Sequence, residues 1–269
     1  MSKTVLKGNR AINYLEAGKS NNQTIVLLHG LGNRSTTWEE QLSKLSSHFH
    51  VIAWDAPGYG DSFDPSPVYK DFSEFSDTLK EFVESLDLSN FYLVGHSMGA
   101  AIAIDFSYRF PDKVQKLILA DPTRGSAFIS EEKSYQQLED RLYAINEQGS
   151  YKLAQDRAKN LFSDYATTQQ IEKSEKIMAQ VRPSGYSSAS YSLYNLNQKN
   201  IYPLITVPTM IICGEEDKIT PVPESKYIYN HISNSELVTI PKAGHLCFLE
   251  APKKFSDYVI NFFAKAGRV

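Results

Sequence analysis

Cysteine is scarce in this chain. Its 269 residues include two, Cys213 and Cys247, each inside an apolar run and neither in a Cys-x-x-Cys arrangement. Such a pair builds neither a disulfide framework nor a thiolate metal site, and fits reduced core thiols in a cytoplasmic protein. Blocks of like charge are missing too. The 28 basic and 31 acidic residues are dispersed, for a formal net charge of −3, which speaks against nucleic acid as a partner and against stable membrane association. No apolar run is long enough to span a bilayer, and Met1-Ser2-Lys3-Thr4 opens no hydrophobic leader. Repeats, low-complexity tracts and Gly-Ser linkers are likewise absent, so the length points to one α/β core with an elaboration.

What the chain does have is a series of short, continuously apolar runs, at 24–28, 51–54, 91–94, 117–120, 209–213 and 237–240. Apolar side chains on consecutive residues mark strands buried on both faces, hence a mostly parallel sheet. Segments 3–6 and 11–16 fit an antiparallel N-terminal hairpin. Between the strands lie helical patterns. Phe72, Phe75, Leu79, Phe82, Val83 and Leu86 recur at spacings of three and four, and another amphipathic stretch starts near Pro252 and carries Phe255, Val259 and Phe262 towards the C-terminus. Alternating strands and helices predict a doubly wound sheet covered on both sides. The rhythm breaks from about Arg124 to Asn200, where tyrosine-rich helical patterns replace strands, and resumes at Val207-Pro208-Thr209. An insertion of helices between two strands accounts for this.

The chemistry starts at Gly95-His96-Ser97-Met98-Gly99, which follows an apolar strand and precedes a helix-like stretch. A turn this sharp admits only small residues beside the serine and holds its Oγ out of the core. Serine needs a base to become a nucleophile, and the base needs an orienting acid. His245, in the loop after the last strand, and Asp217, in the loop after 209–213, fall on the same carboxyl edge of a parallel sheet as Ser97. Asp121, directly after the strand ending at Ala120, is the alternative acid. Two backbone donors for an oxyanion are expected from Leu31, in His29-Gly30-Leu31-Gly32, and from Met98.

With His29-Gly30-Leu31-Gly32, Asp55-Ala56-Pro57-Gly58-Tyr59-Gly60-Asp61-Ser62, the elbow, and the paired loops Gly214…Asp217 and Gly244-His245, the chain resembles the α/β-hydrolase superfamily over almost its whole length. The resemblance implies an eight-stranded sheet, a hydrolase core at 1–123 and 201–269, and a helical cap at 124–200 lying over the active site. Within the superfamily the chain looks most like small carboxylesterases and enol-lactone hydrolases, and less like hydrolases of carbon–carbon bonds in ring-fission products. Ser97 stands where haloalkane dehalogenases and epoxide hydrolases carry aspartate.

The resulting expectation is a serine hydrolase of a small-molecule ester or lactone, with Ser97, Asp217 and His245 as triad and no metal or cofactor. The alternatives are cleavage of a vinylogous diketone by the same triad, and a ligand receptor on a hydrolase scaffold. Pocket candidates are His29, Trp38, His96, Tyr135 and Tyr191, each with a competing structural role: turn formation for the histidines, core packing for Trp38 and attachment of the cap for the tyrosines. Arg124 and Arg182 border the cap, where solvation competes with carboxylate binding. Asp55 is expected to tie down its own loop.

Overall fold

A hairpin of β1 (Ser2–Leu6) and β2 (Arg10–Ala17), turned through Gly8 at φ 73°, opens the fold in a computed structural model that describes residues 2–265. Its second strand pairs antiparallel with β4 (His50–Trp54). From there β3 (Thr24–Leu28), β5 (Phe91–His96), β6 (Val114–Ala120), β7 (Thr209–Gly214) and β8 (Ser235–Ile240) continue in parallel, giving one eight-stranded sheet in the order β1-β2-β4-β3-β5-β6-β7-β8. Most strands run slightly past the apolar runs that announced them, because backbone pairing does not stop where side chains turn polar or small.

All five residues of β3 are buried, and successive side chains serve different cores. Val26 and Leu28 pack in one hydrophobic cluster, Ile25 and Leu27 in the other, as a pleated strand covered on both faces requires. The helices are α1 (Glu39–Leu45), α2 (Phe72–Ser85) and α3 (Met98–Arg109), then α4 (Glu131–Tyr143), α5 (Gly149–Arg157), α6 (Thr168–Met178) and α7 (Pro183–Asn195) between β6 and β7, and finally α8 (Val222–His231), α9 (Cys247–Glu250) and α10 (Pro252–Ala264). One core cluster holds residues of α2 and α3, the opposite one residues of α1, α9 and α10. Residues 266–269, which the sequence pattern carried in the last helix, lie outside the described residues. No described helix is long and apolar enough to cross a membrane.

The strand order locates the site. The chain leaves β3 for β4 on one side, then crosses back to β5 on the other. The loops after β3 and β5 therefore diverge and leave a crevice at the carboxyl edge between them. The helices between β6 and β7 are fastened beside that edge: Arg182 donates to the carbonyls of Gly60 (2.7 Å) and Ser62 (2.5 Å), Ser188 accepts the Tyr69 N–H at 3.0 Å, and Gln198 donates to the Ala101 carbonyl at 2.7 Å. Arg182, which also pairs with Asp64 at 3.0 Å, thus works as a clamp outside the cavity wall.

Helix α2 shows how local and tertiary terms combine. Asp71 accepts the Ser73 N–H at 2.8 Å while Glu74 accepts the Asp71 N–H at 3.1 Å, closing a capping box. Its apolar stripe, with Phe75, Leu79 and Phe82 fully buried, packs on the sheet. Asp71→Ala should lower unfolding free energy by about 1 kcal/mol, whereas Phe75→Ala should lower it by roughly 3–5 kcal/mol; urea unfolding of the two variants measures the contrast.

Candidate active site

Ser97 is the single residue joining β5 to α3, held at φ 53°, ψ −112°. The turn leaves no room beside it. A Cβ on Gly95 would lie 2.2 Å from the Gly99 carbonyl oxygen, and a Cβ on Gly99 would lie 2.4 Å from that of Leu28. Glycine at both positions lets the first turn of α3 settle onto the ends of β5 and β3, which aims Ser97 across the crevice.

His245 meets it there. Ser97 Oγ lies 2.9 Å from His245 Nε2, and His245 Nδ1 lies 2.8 Å from Asp217 Oδ2. An ionised carboxylate only accepts, so Nδ1 carries the proton and Nε2 is left with a lone pair facing the serine hydroxyl. Asp217 is itself held: its Oδ1 accepts the N–H groups of Ile219 (2.7 Å) and Thr220 (2.9 Å), and the Thr220 hydroxyl lies 2.8 Å from Oδ2. Burial pushes the Asp217 carboxyl up, but the neighbouring His245 charge and these hydrogen bonds outweigh it and bring it to about 2. Burial pulls His245 down, and the Asp217 charge and hydrogen bond more than reverse this, leaving the imidazole above its ordinary value.

Asp121 is close by but differently engaged. Its Oδ1 accepts the Gly214 N–H at 2.8 Å, and its side chain is fully buried. Burial, reinforced by the Asp217 charge, raises its carboxyl to about 8. Of the two acids, Asp217 touches His245. His96 points its Nε2 at the His245 carbonyl oxygen (2.7 Å), and burial, then His245, push it down to about 3, so it stays neutral and braces the histidine loop.

On the opposite bank, Leu31 follows β3 in a turn closed by the Asn33 N–H on the Gly30 carbonyl at 3.1 Å. Among the described residues neither the Leu31 nor the Met98 N–H has a hydrogen-bond partner. The Met98 side chain itself turns into the core beneath.

A cavity of about 360 Å³ opens on Ser97 and His245, with Leu31 and His96 in its wall and residues from the helices between β6 and β7 opposite, among them Arg141, Arg157, Leu161, Met178 and Tyr186. Four expected pocket residues are elsewhere. Trp38 is fully buried, with its ring stacked on Phe248 at a centroid distance of 4.1 Å. His29 accepts the Ala56 N–H at 3.0 Å and joins two loops. Tyr135 is 53% exposed with its ring against Tyr194, and Tyr191 lies under the Lys70 ammonium. In each case periodicity or proximity in sequence could not show which way the side chain faces. Asp55 accepts the Ser35 N–H at 2.7 Å, tying the loop after β3 instead of its own. Arg124 forms a two-pronged ion pair with Glu224, under Phe128 and Tyr227.

Three contributors had gone unrecognised. Thr220 was detectable, since a threonine three residues after an aspartate is suited to a side-chain-stabilised turn. Arg141 and Arg157 carried no such signal. Cys213 and Cys247 are buried and unpaired, and burial raises both thiols, Cys213 to about 12. No group of three or more His, Cys, Asp or Glu among the described residues could hold a metal ion.

Comparison with known proteins agrees with this architecture. Residues 23–252 match the model of the alpha/beta hydrolase fold family. The chain is 25% identical over 252 residues to 3-oxoadipate enol-lactonase 2 of Acinetobacter baylyi, spanning 93% of this chain and 91% of that one. It is 26% identical over 265 residues to the (E)-2-((N-methylformamido)methylene)succinate hydrolase of the same organism, spanning 96% of each. In fold it is similar to an esterase from Thermogutta terrifontis, with a TM-score of 0.87 at 22% identity over 98% of both chains. On its strand order, its elbow and the match over residues 23–252, the chain belongs to the α/β-hydrolase family.

Proposed function

We propose that the protein is a serine hydrolase that cleaves a small carboxylic ester or lactone through an acyl-enzyme. The observation that carries this is the continuous bridge from Ser97 Oγ through both nitrogens of His245 to Asp217, at 2.9 and 2.8 Å, opening onto a cavity. Ser97 attacks the carbonyl carbon as its proton passes to His245 Nε2. The N–H groups of Leu31 and Met98 receive the oxyanion, and collapse of the tetrahedral intermediate expels the alcohol, which takes the proton from His245. Water, deprotonated by the same nitrogen, then releases the acid and restores Ser97. Asp217 serves as the acid of the triad, keeping the Nδ1–H tautomer and stabilising the transient imidazolium. Asp121, being protonated at neutral pH, acts as a brace for the Gly214 loop.

Residues 124–200 then act as a cap that supplies the far wall, on a core formed by 1–123 and 201–269. Similarity to an enol-lactonase and to a second small-molecule hydrolase supports the substrate class. Two buried, unpaired cysteines support a cytoplasmic setting.

Ser97→Ala should retain the unfolding transition, lose fluorophosphonate labelling, and lower turnover of a short-chain nitrophenyl ester by a factor on the order of 10⁶. Labelling elsewhere in the wild type would overturn the assignment. Asp217→Asn should lower kcat by roughly 10³–10⁴-fold, against about tenfold or less for Asp121→Asn, whose amide oxygen can keep the Gly214 hydrogen bond. Equal losses would displace Asp217 from its role.

The pH dependence follows from the elevated His245. The base works only when unprotonated, so kcat/KM should fall as pH drops through the His245 pKa, with a midpoint above the ordinary histidine value of 6.5. A midpoint below 6.5 would contradict the pairing with Asp217.

A further inference from the structure

We propose that the substrate carries a carboxylate, which the guanidinium groups of Arg141 and Arg157 bind inside the cavity that holds Ser97. The inference rests on the serine-hydrolase reading and narrows it to a substrate class.

Arg141 lies in the last turn of α4 and Arg157 ends α5, and both side chains line the same cavity as Ser97 and His245. Among the described residues neither guanidinium has a hydrogen bond, an ion pair or an aromatic ring to stack on. Every other charge at the cavity is spoken for. Glu224 is held by both prongs of Arg124, Lys218 is paired with Asp164 at 2.9 Å, and His245 has Asp217. Scarcity of acid does not explain the two bare cations, because acidic residues outnumber basic ones 31 to 28.

The adjacent sequence sharpens the point. Each arginine directly follows an aspartate, as Asp140-Arg141 and Asp156-Arg157. Neighbours on a helix point in different directions. Asp140 accepts from Gln136 at 2.7 Å and Asp156 from Lys152 at 2.5 Å, both on the exposed sides of their helices, while the arginines turn inward. Two cations facing one partly desolvated space repel each other. Burial, then the charge of Arg157, indeed hold the Arg141 guanidinium below its usual range. An incoming carboxylate removes that repulsion and takes up planar, paired N–H donors suited to its two oxygens. Leu31, Leu161 and Met178 line the same space, which suits a short apolar chain between the reacting carbonyl and the carboxylate.

The test compares mono-p-nitrophenyl glutarate with p-nitrophenyl valerate, which replaces the free carboxylate by a methyl group. The kcat/KM ratio of the anionic to the neutral ester should exceed about 10 in the wild type, as charge-assisted hydrogen bonds imply, and shrink as salt is raised. It should approach 1 in the double variant Arg141→Gln/Arg157→Gln. The milder Arg141→Lys, which keeps the charge, should retain part of the preference and covers the case in which the double variant does not fold. A wild-type ratio of 1 or below, or a ratio unchanged in the variants, overturns the inference, and continued fluorophosphonate labelling of Ser97 would then leave the serine-hydrolase reading standing. If neither ester turns over and Ser97 stays unlabelled, that reading falls. Calorimetric binding of glutarate then decides the subsite by itself: binding that the double variant loses supports it, and no binding to the wild type overturns it.

Discussion

The close approach of the first turn of α3 to the ends of β3 and β5 is the constraint on which the site depends. A single methyl group on Gly95 or Gly99 would collide with backbone carbonyls at 2.2–2.4 Å, and those contacts cannot be relieved by rotating a side chain. With hydrogen at both positions, Ser97 adopts a backbone conformation that most residues avoid and projects into the gap where β3 and β5 send their chains in opposite directions. Leu31, after β3, comes to line the same cavity as Ser97. Aspartate and histidine are then delivered by the loops after β7 and β8 at the same edge of the sheet, because parallel strands all end there.

Two buried carboxyl groups lie near His245, and their surroundings drive them apart. Asp217 is surrounded by N–H donors and an imidazole, and stays ionised. Asp121 has one backbone donor and a negative neighbour, and keeps its proton near neutrality. Separation of this kind lets one carboxylate govern the histidine without competition. His96, neutral and bonded to the His245 carbonyl, fixes the backbone from which the imidazole hangs. The sheet side is held by such hydrogen bonds, whereas the opposite wall comes from helices α4 to α7, attached through polar clamps such as Arg182 and Gln198.

Legibility in the sequence followed the range of the interaction involved. The strands of the core could be read because burial on both faces demands apolar residues at consecutive positions, and the capping box of α2 because its partners are three residues apart. Ser97 was legible through its glycines. Asp217 was favoured over Asp121 by its place in the chain order alone, since both follow strands at the same edge, and the path of the 217–220 turn is what brings its carboxylate to Nδ1. Trp38, Tyr135 and Tyr191 were misplaced as pocket residues because aromatic side chains serve a core, a ring pair or a cation equally well. The arginines reversed roles. Arg124 and Arg182, at the borders of the insertion, are consumed by Glu224 and by loop carbonyls, while Arg141 and Arg157, inside its helices, reach the cavity.

By itself the sequence determined the elements, their alternation, and the residue types that can act as nucleophile, base and acid, since these follow from local periodicity, turn chemistry and intrinsic reactivity. The tertiary structure decided which acid meets the histidine, which tyrosines face inward, and which cations are left without partners. Those outcomes depend on contacts between residues up to about a hundred and fifty positions apart, such as His245 with Ser97, and a charge is known to be unpaired only when every neighbour from every element around it has been counted.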